Sequence, residues 1–404
     1  MTALTGIRVV ELANERISWA GKLMADMAAE VILLEPPGGC TTREHPPFHQ
    51  THADQSLHFW HYNTSKKSVQ LDIEQDRELF IKLVATADVL LESEPTTRLS
   101  GLNLDYPTLS QANPDLIHIA VTPYGRENPL SDLPTTDLTL MAAGGPPWSC
   151  GYDDHSLPPM RGWGNQGFHT GCHFAFMSAL TALLARNNGM GGQFIDVSIV
   201  AALNVTTEAA SYTHNLNGQE VQRQTGRHAA VKPTGETQMQ CSDGQYVNTG
   251  VPPRFPVEFS KLLAWLEELG LIEEFPEHVF LQMGAEWQGH FDLGLLGTDD
   301  TVTAIFSAGR QALQLVASKV SAYEFFIGCQ NAGLTVGAIN RPEQAFEDPH
   351  IKARGFQHSV HHPDLQETYR YPGAPYLMNG SPWQISSPAP KLGEHNQEVL
   401  ADLT

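Results

Sequence analysis

Residues Ile7–Glu35, IRVVELANERISWAGKLMADMAAEVILLE, decide the fold class. Ile7–Leu12 reads as a short apolar strand, Ala20–Ala29 has helical spacing, and Val31–Leu34 reads as a second strand ending at Glu35. Two strands joined through a helix in so short a span form a βαβ unit, whose strands lie parallel.

Outward from that unit the alternation continues. Strands are expected at Ser68–Ile73, Val89–Leu91 and Ile117–Val121, with a helix at Asp76–Thr86. Their nearly continuous Val/Ile/Leu runs suit a sheet covered by helices on both faces. The expectation is α/β: a Rossmann-type sheet. The loop 36–61, rich in His and Pro, is long for a plain connection and reads as a functional or contact loop. Phe168–Arg186 is a long helix rich in small residues, expected to pack on most of its faces; it stops at Asn188 and Gly189, and the strand GGQFIDVSIV follows.

After the polar stretch 215–232 the character changes. Thr237–Cys241 and Gln245–Thr249 alternate across Ser242, Asp243 and Gly244, a hairpin signal. Helices follow at Val257–Leu269, with an apolar stripe through Phe259, Leu262, Leu263, Leu266 and Leu269, and at Val302–Lys319. Another begins at Ser321 with Glu324 in capping-box spacing. Residues 226–340 thus read as a smaller α+β domain, and the remainder is Pro-rich.

The 404 residues carry 24 Lys+Arg against 45 Asp+Glu, a net charge of −21 that repels polyanions and argues against nucleic acid as a partner. Five cysteines, an odd number without a CxxC pair, point to a reducing compartment. Arg8, Glu11 and Glu15 stand where a signal peptide needs an apolar run, and no stretch of 18 uninterrupted apolar residues occurs. The expectation is a cytoplasmic protein with no membrane partner.

Three local patterns bear on chemistry. Gly162–Gly167, GWGNQG, satisfies GxGxxG before a helix, but SLPPMRGW precedes it where dinucleotide binding requires a strand, so NAD and FAD are not expected. Its glycines either let the helix pack closely or present N–H groups to a carboxylate or thioester oxyanion. His169, Cys172 and His173 have the i, i+4 spacing of a zinc helix, but Thr170 stands where a metalloprotease has Glu and no further ligand follows; no metal is expected. Arg43, Lys66, Lys67 and Arg98 fall near strand ends of the expected sheet, a credible phosphate-binding edge in an acidic chain.

Nine segments in order, LTGIRVVELA, LMADMAAEVILLEPPGG, NTSKKSVQLDI, ADVLLES, YPTLSQANPDLIHIAVTPYG, PTTDLTLMAAGG, ALLARNNGMGGQFIDVS, CSDGQYVN and PAPKLGEHN, resemble the class III CoA-transferases of the formyl-CoA-transferase type over essentially the whole chain. The resemblance implies a large Rossmann-type domain built from both chain ends, with the small domain between, in an interlocked dimer. On that reading residues 1–200 open the large domain, 201–225 link, 226–340 form the small domain, and 341–404 return to the large one. It also implies CoA transfer between an acyl-CoA and a free carboxylic acid, through an anhydride on a catalytic Asp. Carried over to this sequence, that Asp falls on Gly167, with Asn165 and Gln166 beside it, and neither an amide nor a glycine forms the anhydride. Thr136 precedes Asp137 where the racemase branch has His. The variant pattern, with LANER, a GxQG-like turn and WLEELG, is most similar to the Asp-lacking subunits of benzylsuccinate-type CoA-transferases.

Three readings follow: a subunit completed by an Asp-bearing paralogue, a homodimer using another carboxylate such as Asp137, or a non-catalytic acyl-CoA-binding protein. The resemblance assigns Arg43, Lys66, Lys67 and Arg98 to the CoA groove, with Gly38 and Gly39 allowing close backbone approach. Phe48, Trp60, Trp148 and Trp163 would suit an apolar acyl group or, equally, core and dimer contacts.

Overall fold

The computed structural model describes residues 2–289, 291–401 and 403. The first compact unit comprises residues up to Ser149, Pro159–Gln219, and from Asp348 onward. Its elements begin with β1 (Arg8–Leu12), α1 (Ser18–Ala25), β2 (Glu30–Glu35), α2 (Leu57–Tyr62), β3 (Lys67–Gln70), α3 (Arg77–Ala85), β4 (Val89–Glu92), α4 (Thr96–Gly101) and α5 (Tyr106–Ala112). They continue through β5 (Ile117–Thr122), α6 (Asp137–Gly144), α7 (Gln166–Asn187), β6 (Gln193–Ser198), α8 (Ile199–Val205) and α9 (Ala209–Asn217). The strands form one six-stranded sheet in the order β3-β2-β1-β4-β5-β6, every neighbouring pair parallel.

The two-residue period of a strand explains how apolar runs serve both faces. Val9, Val31, Val89 and Ile117 point to one side, where they meet Met24 of α1, Leu140 of α6 and Phe168 and Cys172 of α7. Val10, Ile32, Val69 and Leu90 point to the other, against Phe80 and Leu83 of α3 and Leu109 of α5. Burying each such side chain is worth about 1.5–3 kcal/mol, so the doubly covered sheet is the main source of stability in this unit.

Helix α7 departs from the expectation that it packs on most faces. Gly171, Cys172, Ala175, Ala179 and Ala182 are buried, but Met177 and Leu184 on its outer side remain exposed. Small residues on the inner side let the helix lie close: a Cβ on Gly171 would come within 2.9 Å of Ile199. Residues 201–225, expected as a linker, contain most of α8 and all of α9.

The second unit comprises Cys150–Pro158 and Glu220–Glu347. It contains β7 (Gln222–Gln224), β8 (Arg227–Ala230), β9 (Gln238–Gln240), β10 (Tyr246–Thr249), α10 (Pro256–Glu268), α11 (His278–Ala285), α12 (Asp300–Lys319), α13 (Ala322–Ala332), β11 (Val336–Ala338) and α14 (Pro342–Glu347). The expected hairpin is β9–β10, turning through Gly244 at φ +81°, and β11 pairs with β10 antiparallel. Phe259, Leu262 and Leu266 of α10 are buried against Ile305 and Val316 of α12 and Phe325 of α13, while Leu269 ends the stripe at the surface. The Ser321–Glu324 capping box forms as its spacing predicts.

The chain returns to the first unit through α15 (Pro349–Ala353), the antiparallel hairpin β12 (Gln357–His362) and β13 (Glu367–Pro372), and α16 (Asn396–Leu400). Val360 and Tyr371 of that hairpin pack on Phe59 and Trp60 of α2.

Candidate active site

The first turn of α7 meets the first turn of α6. Thr136 caps α6 through a reciprocal pair of bonds with Thr139, which places Asp137 at the first helical position with its carboxylate directed at α7. Asp137 Oδ1 accepts from the Phe168 backbone N–H at 3.0 Å, one of the N–H groups at a helix start that lack a partner within the helix. Its Oδ2 accepts from Arg161 Nη1 at 2.6 Å, and Arg161 also donates to the Gly164 carbonyl. A Cβ on Gly167 would lie 2.9 Å from Asp137 Oδ1. The space into which a side chain at position 167 would start is therefore held by the Asp137 carboxylate. Gln166, also named from the sequence, is the first residue of α7 and lines a cavity of about 320 Å³ with Met141, His169, Leu203 and Thr206.

A layer of rings from α1, α2 and α7 lies beside this helix start. Trp19 stacks on His169 (4.8 Å between ring centroids, 11° between planes) and on His61 (5.9 Å, 12°), and its Nε1 donates to His173 at 3.1 Å. The Tyr62 hydroxyl lies 2.7 Å from His169 Nε2. Burial keeps the layer neutral. It pushes His61 down to about 3, helped by the charge of Lys22, and His169 to about 4, where the charge of His173 adds and Asp137 opposes. His58 falls to about 4 by burial and the charges of His45 and His169, and burial raises the Tyr62 phenol to about 12. At neutral pH these groups offer hydrogen bonds and a planar apolar surface rather than charge. The zinc-like triplet is thereby divided: His169 faces Tyr62, His173 faces Trp19, and the buried Cys172 thiol donates to the Arg16 carbonyl at 3.0 Å. Among the described residues no group of three His, Cys, Asp or Glu side chains is arranged to hold a metal.

The basic residues expected at a phosphate edge are not brought together. Lys66 is fully buried; its Nζ donates to Glu11 Oε1 (2.9 Å), the Ser18 carbonyl (3.0 Å) and Asn63 Oδ1 (3.0 Å). It is a counter-ion inside the fold, a correction to its place in a binding groove. Lys67 pairs with Glu30 at 2.7 Å and with Glu398 at 2.6 Å, and Glu30 opens β2, so this lysine marks the amino-terminal edge of the sheet. Arg43 sits beyond the opposite end of β2, donating Nε and Nη2 to the two oxygens of Glu35 at 2.7 Å each and lying 4.0 Å over the Phe59 ring. These bonds outweigh the effect of burial and hold the Glu35 carboxyl below its usual range. Gly38 and Gly39 form the turn before Arg43 with φ of +90° and +94°, and Gly39 lies against the Arg43 stem. Arg98, on α4, pairs with Glu94 at 2.7 Å and is exposed. Of the aromatics, Trp60 is buried with the β12–β13 hairpin, whereas Phe48, Trp148 and Trp163 are exposed.

Arg161, Tyr62 and Trp19 were not singled out by sequence. The available signals were the arginine just before the glycine turn and the alternation of His and aromatic residues in LHFWHY.

The CoA-transferase family III model matches residues 4–396. The succinyl-CoA:(R)-benzylsuccinate CoA-transferase subunit BbsE of Thauera aromatica is 30% identical over 399 residues, 98% of this chain and 93% of that protein. The succinate–glutarate CoA-transferase of Agrobacterium fabrum is 28% identical over 99% of this chain and 95% of its own length. A crystal structure of a CAIB/BAIF family protein from Brucella suis superposes with a TM-score of 0.79 over 100% of both chains at 24% identity, a likeness of fold.

Proposed function

This chain belongs to CoA-transferase family III and is a CoA-transferase, and from that premise we propose that it is one subunit of an acyl-CoA:carboxylate CoA-transferase whose nucleophilic aspartate comes from a paralogous partner chain. The observation that carries the reading is Gly167: the helix start that should present a carboxylate presents a glycine, and the adjoining space holds Asp137, already bonded to Phe168 N–H and Arg161. The similarity to a protein named as a subunit, BbsE, supports a heteromer.

In the proposed reaction a carboxylate oxygen of the partner's aspartate adds to the thioester carbonyl, the C–S bond breaks, and CoA leaves as thiolate, giving a mixed anhydride. The thiolate then attacks the aspartyl carbonyl of the anhydride. The donor acid leaves as its carboxylate, and the aspartate becomes a CoA thioester. The acceptor carboxylate attacks that thioester and expels CoA thiolate, forming a second anhydride. The thiolate then attacks the acceptor-derived carbonyl, so that the aspartate leaves as its free carboxylate and the new acyl-CoA is released. This chain's share is CoA binding beside Gly38, Gly39 and Arg43, and an apolar wall from the Trp19–His169 layer. No metal, NAD or FAD takes part in the proposed reaction. Five free cysteines support a reducing, cytoplasmic setting.

The test is CoA exchange between succinyl-CoA and a carboxylic acid by the purified chain alone and after co-expression with an Asp-bearing paralogue. Turnover only with the paralogue supports the reading; ordinary enzyme rates from the single chain overturn it. A second reading makes Asp137 the nucleophile of a homodimer, favoured by its carboxylate lying against the start of α7. Hydroxylamine trapping in the presence of acyl-CoA, with mass mapping, decides it, and no adduct on Asp137 removes it. CoA binding without turnover under every pairing would leave a non-catalytic acyl-CoA-binding protein.

A further inference from the structure

Most cations around the candidate site are matched to a carboxylate. Arg161 holds Asp137, Lys66 holds Glu11, Lys22 holds Asp26, Arg43 holds Glu35 and Arg126 holds Glu92. Among the described residues Arg16 has no such partner. It lies in the turn between β1 and α1, and β1 borders β4 where the strand order reverses, the place at which open α/β sheets take ligands.

Both ends of Arg16 are tied to the site. Its carbonyl accepts from Cys172 Sγ of α7, and its Nη2 donates at 3.4 Å to the carbonyl of Thr135, two residues before Asp137. Its Nε is buried and meets no acceptor among the described residues. The preceding acid, Glu15, is 3.7 Å from His45 instead. A half-buried guanidinium left uncompensated in a chain with 45 acidic residues is unfavourable unless an anion comes to it. The planar guanidinium fork, Nε beside Nη2, fits the two oxygens of a carboxylate.

We propose that Arg16 binds a carboxylate of the acid substrate through Nε and Nη2, beside the start of α7. The inference rests on the CoA-transferase reading above and adds a residue that selects the acid over a neutral analogue.

The experiment is calorimetric titration of the purified full chain with CoA and, separately, with succinate as the carboxylate probe, for wild type, Arg16→Gln and Arg16→Lys. Loss of a charge-assisted bidentate contact should weaken succinate binding by about tenfold or more in Arg16→Gln. Arg16→Lys, which keeps the charge without the fork, should fall between. CoA binding should be equal in all three, which also shows that the variants are folded. Equal succinate affinity in wild type and Arg16→Gln, or no succinate binding by wild type, overturns the proposal. Absence of CoA binding by wild type tells instead against the functional reading beneath it.

Discussion

Replacing Lys66 by Met tests whether this lysine is a structural counter-ion or a ligand for CoA. The Lys66 and Glu11 side chains are both 0% exposed, and Nζ lies 2.8 Å from Glu11 Oε2 besides its three aligned hydrogen bonds. The fold is built around the pair: a Cβ on Gly21 would come within 1.7 Å of Glu11 Oε2. Met fills the volume of the lysine stem but leaves the Glu11 carboxylate buried and unpaired. Breaking a buried pair on one side costs about 3–5 kcal/mol, a large part of the roughly 5–15 kcal/mol that holds a domain folded. Replacing both partners, Lys66→Met with Glu11→Leu, removes the stranded charge and should recover most of the loss. Burial already raises the Glu11 carboxyl above its usual range against the pull of Lys66. An acid whose folded pKa is raised contributes stability below its unfolded pKa that is lost as pH rises through the folded value. Without Lys66 the folded value rises further, so the deficit of the single variant should grow as pH rises above the usual carboxylate range. Urea unfolding read by hydrogen exchange at β1–β4 amides isolates the first unit, because two units need not unfold together. A single variant within about 1 kcal/mol of wild type, or a double variant no more stable than the single, would refute this account.

Gly167→Ala should cost about 1–3 kcal/mol by forcing Asp137 off the Phe168 N–H, seen as a lowered thermal midpoint; an unchanged midpoint would mean the space is not held as described. Arg43→Ala should weaken CoA binding with a clear salt dependence, whereas Lys67→Ala, at the other edge of the sheet, should leave it unchanged; calorimetric titration at two ionic strengths separates them, and the reverse ranking would relocate the groove. His58, His61 and His169 have folded pKa values pushed below the unfolded one. Their contribution is present above about pH 6.5 and is lost as pH falls toward about 4, so urea midpoints should drop over that interval. His61→Phe, which cannot take a proton, should flatten the slope, and an unaltered slope would remove the ring layer from the explanation.

What could be read from sequence was what depends on neighbours along the chain. The strands around Val9, Ile32, Leu90 and Ile119 announce themselves because doubly covered parallel strands are apolar throughout, and Ser321 with Glu324 carries its cap within one turn. Lys66 misled because Asn-Thr-Ser-Lys-Lys before a strand has the composition of an exposed turn. Its burial depends on Glu11, 55 positions away, and on a glycine at position 21 that leaves room for both. Arg43 and Lys67 fail to meet for a topological reason: one follows β2 and the other opens β3, and parallel strands put those points at opposite edges. The ring layer was hidden for the same kind of reason, since Tyr62 and His169 are 107 residues apart and only the docking of α2 on α7 joins them.

The helix start at Gly167 shows how a missing residue acquires meaning only in three dimensions. In sequence, glycine at 167 subtracts a nucleophile and says nothing of what replaces it. In the structure the same absence is a steric requirement, because any side chain there would collide with the Asp137 oxygen that accepts from Phe168 N–H. Glycine at 167, aspartate at 137 and arginine at 161 are therefore one arrangement: the small residue makes room, the acid occupies it, and the guanidinium balances the charge. That balance leaves each Asp137 oxygen with one hydrogen bond, one of them to a cation, which lowers the carboxylate's nucleophilicity toward a thioester while each oxygen keeps one lone pair. It follows that a nucleophile reaching this helix start comes more readily from outside the arrangement than from within it, and the proposed role of Arg16, whose Nε meets no acceptor among the described residues, is to receive the substrate's charge there.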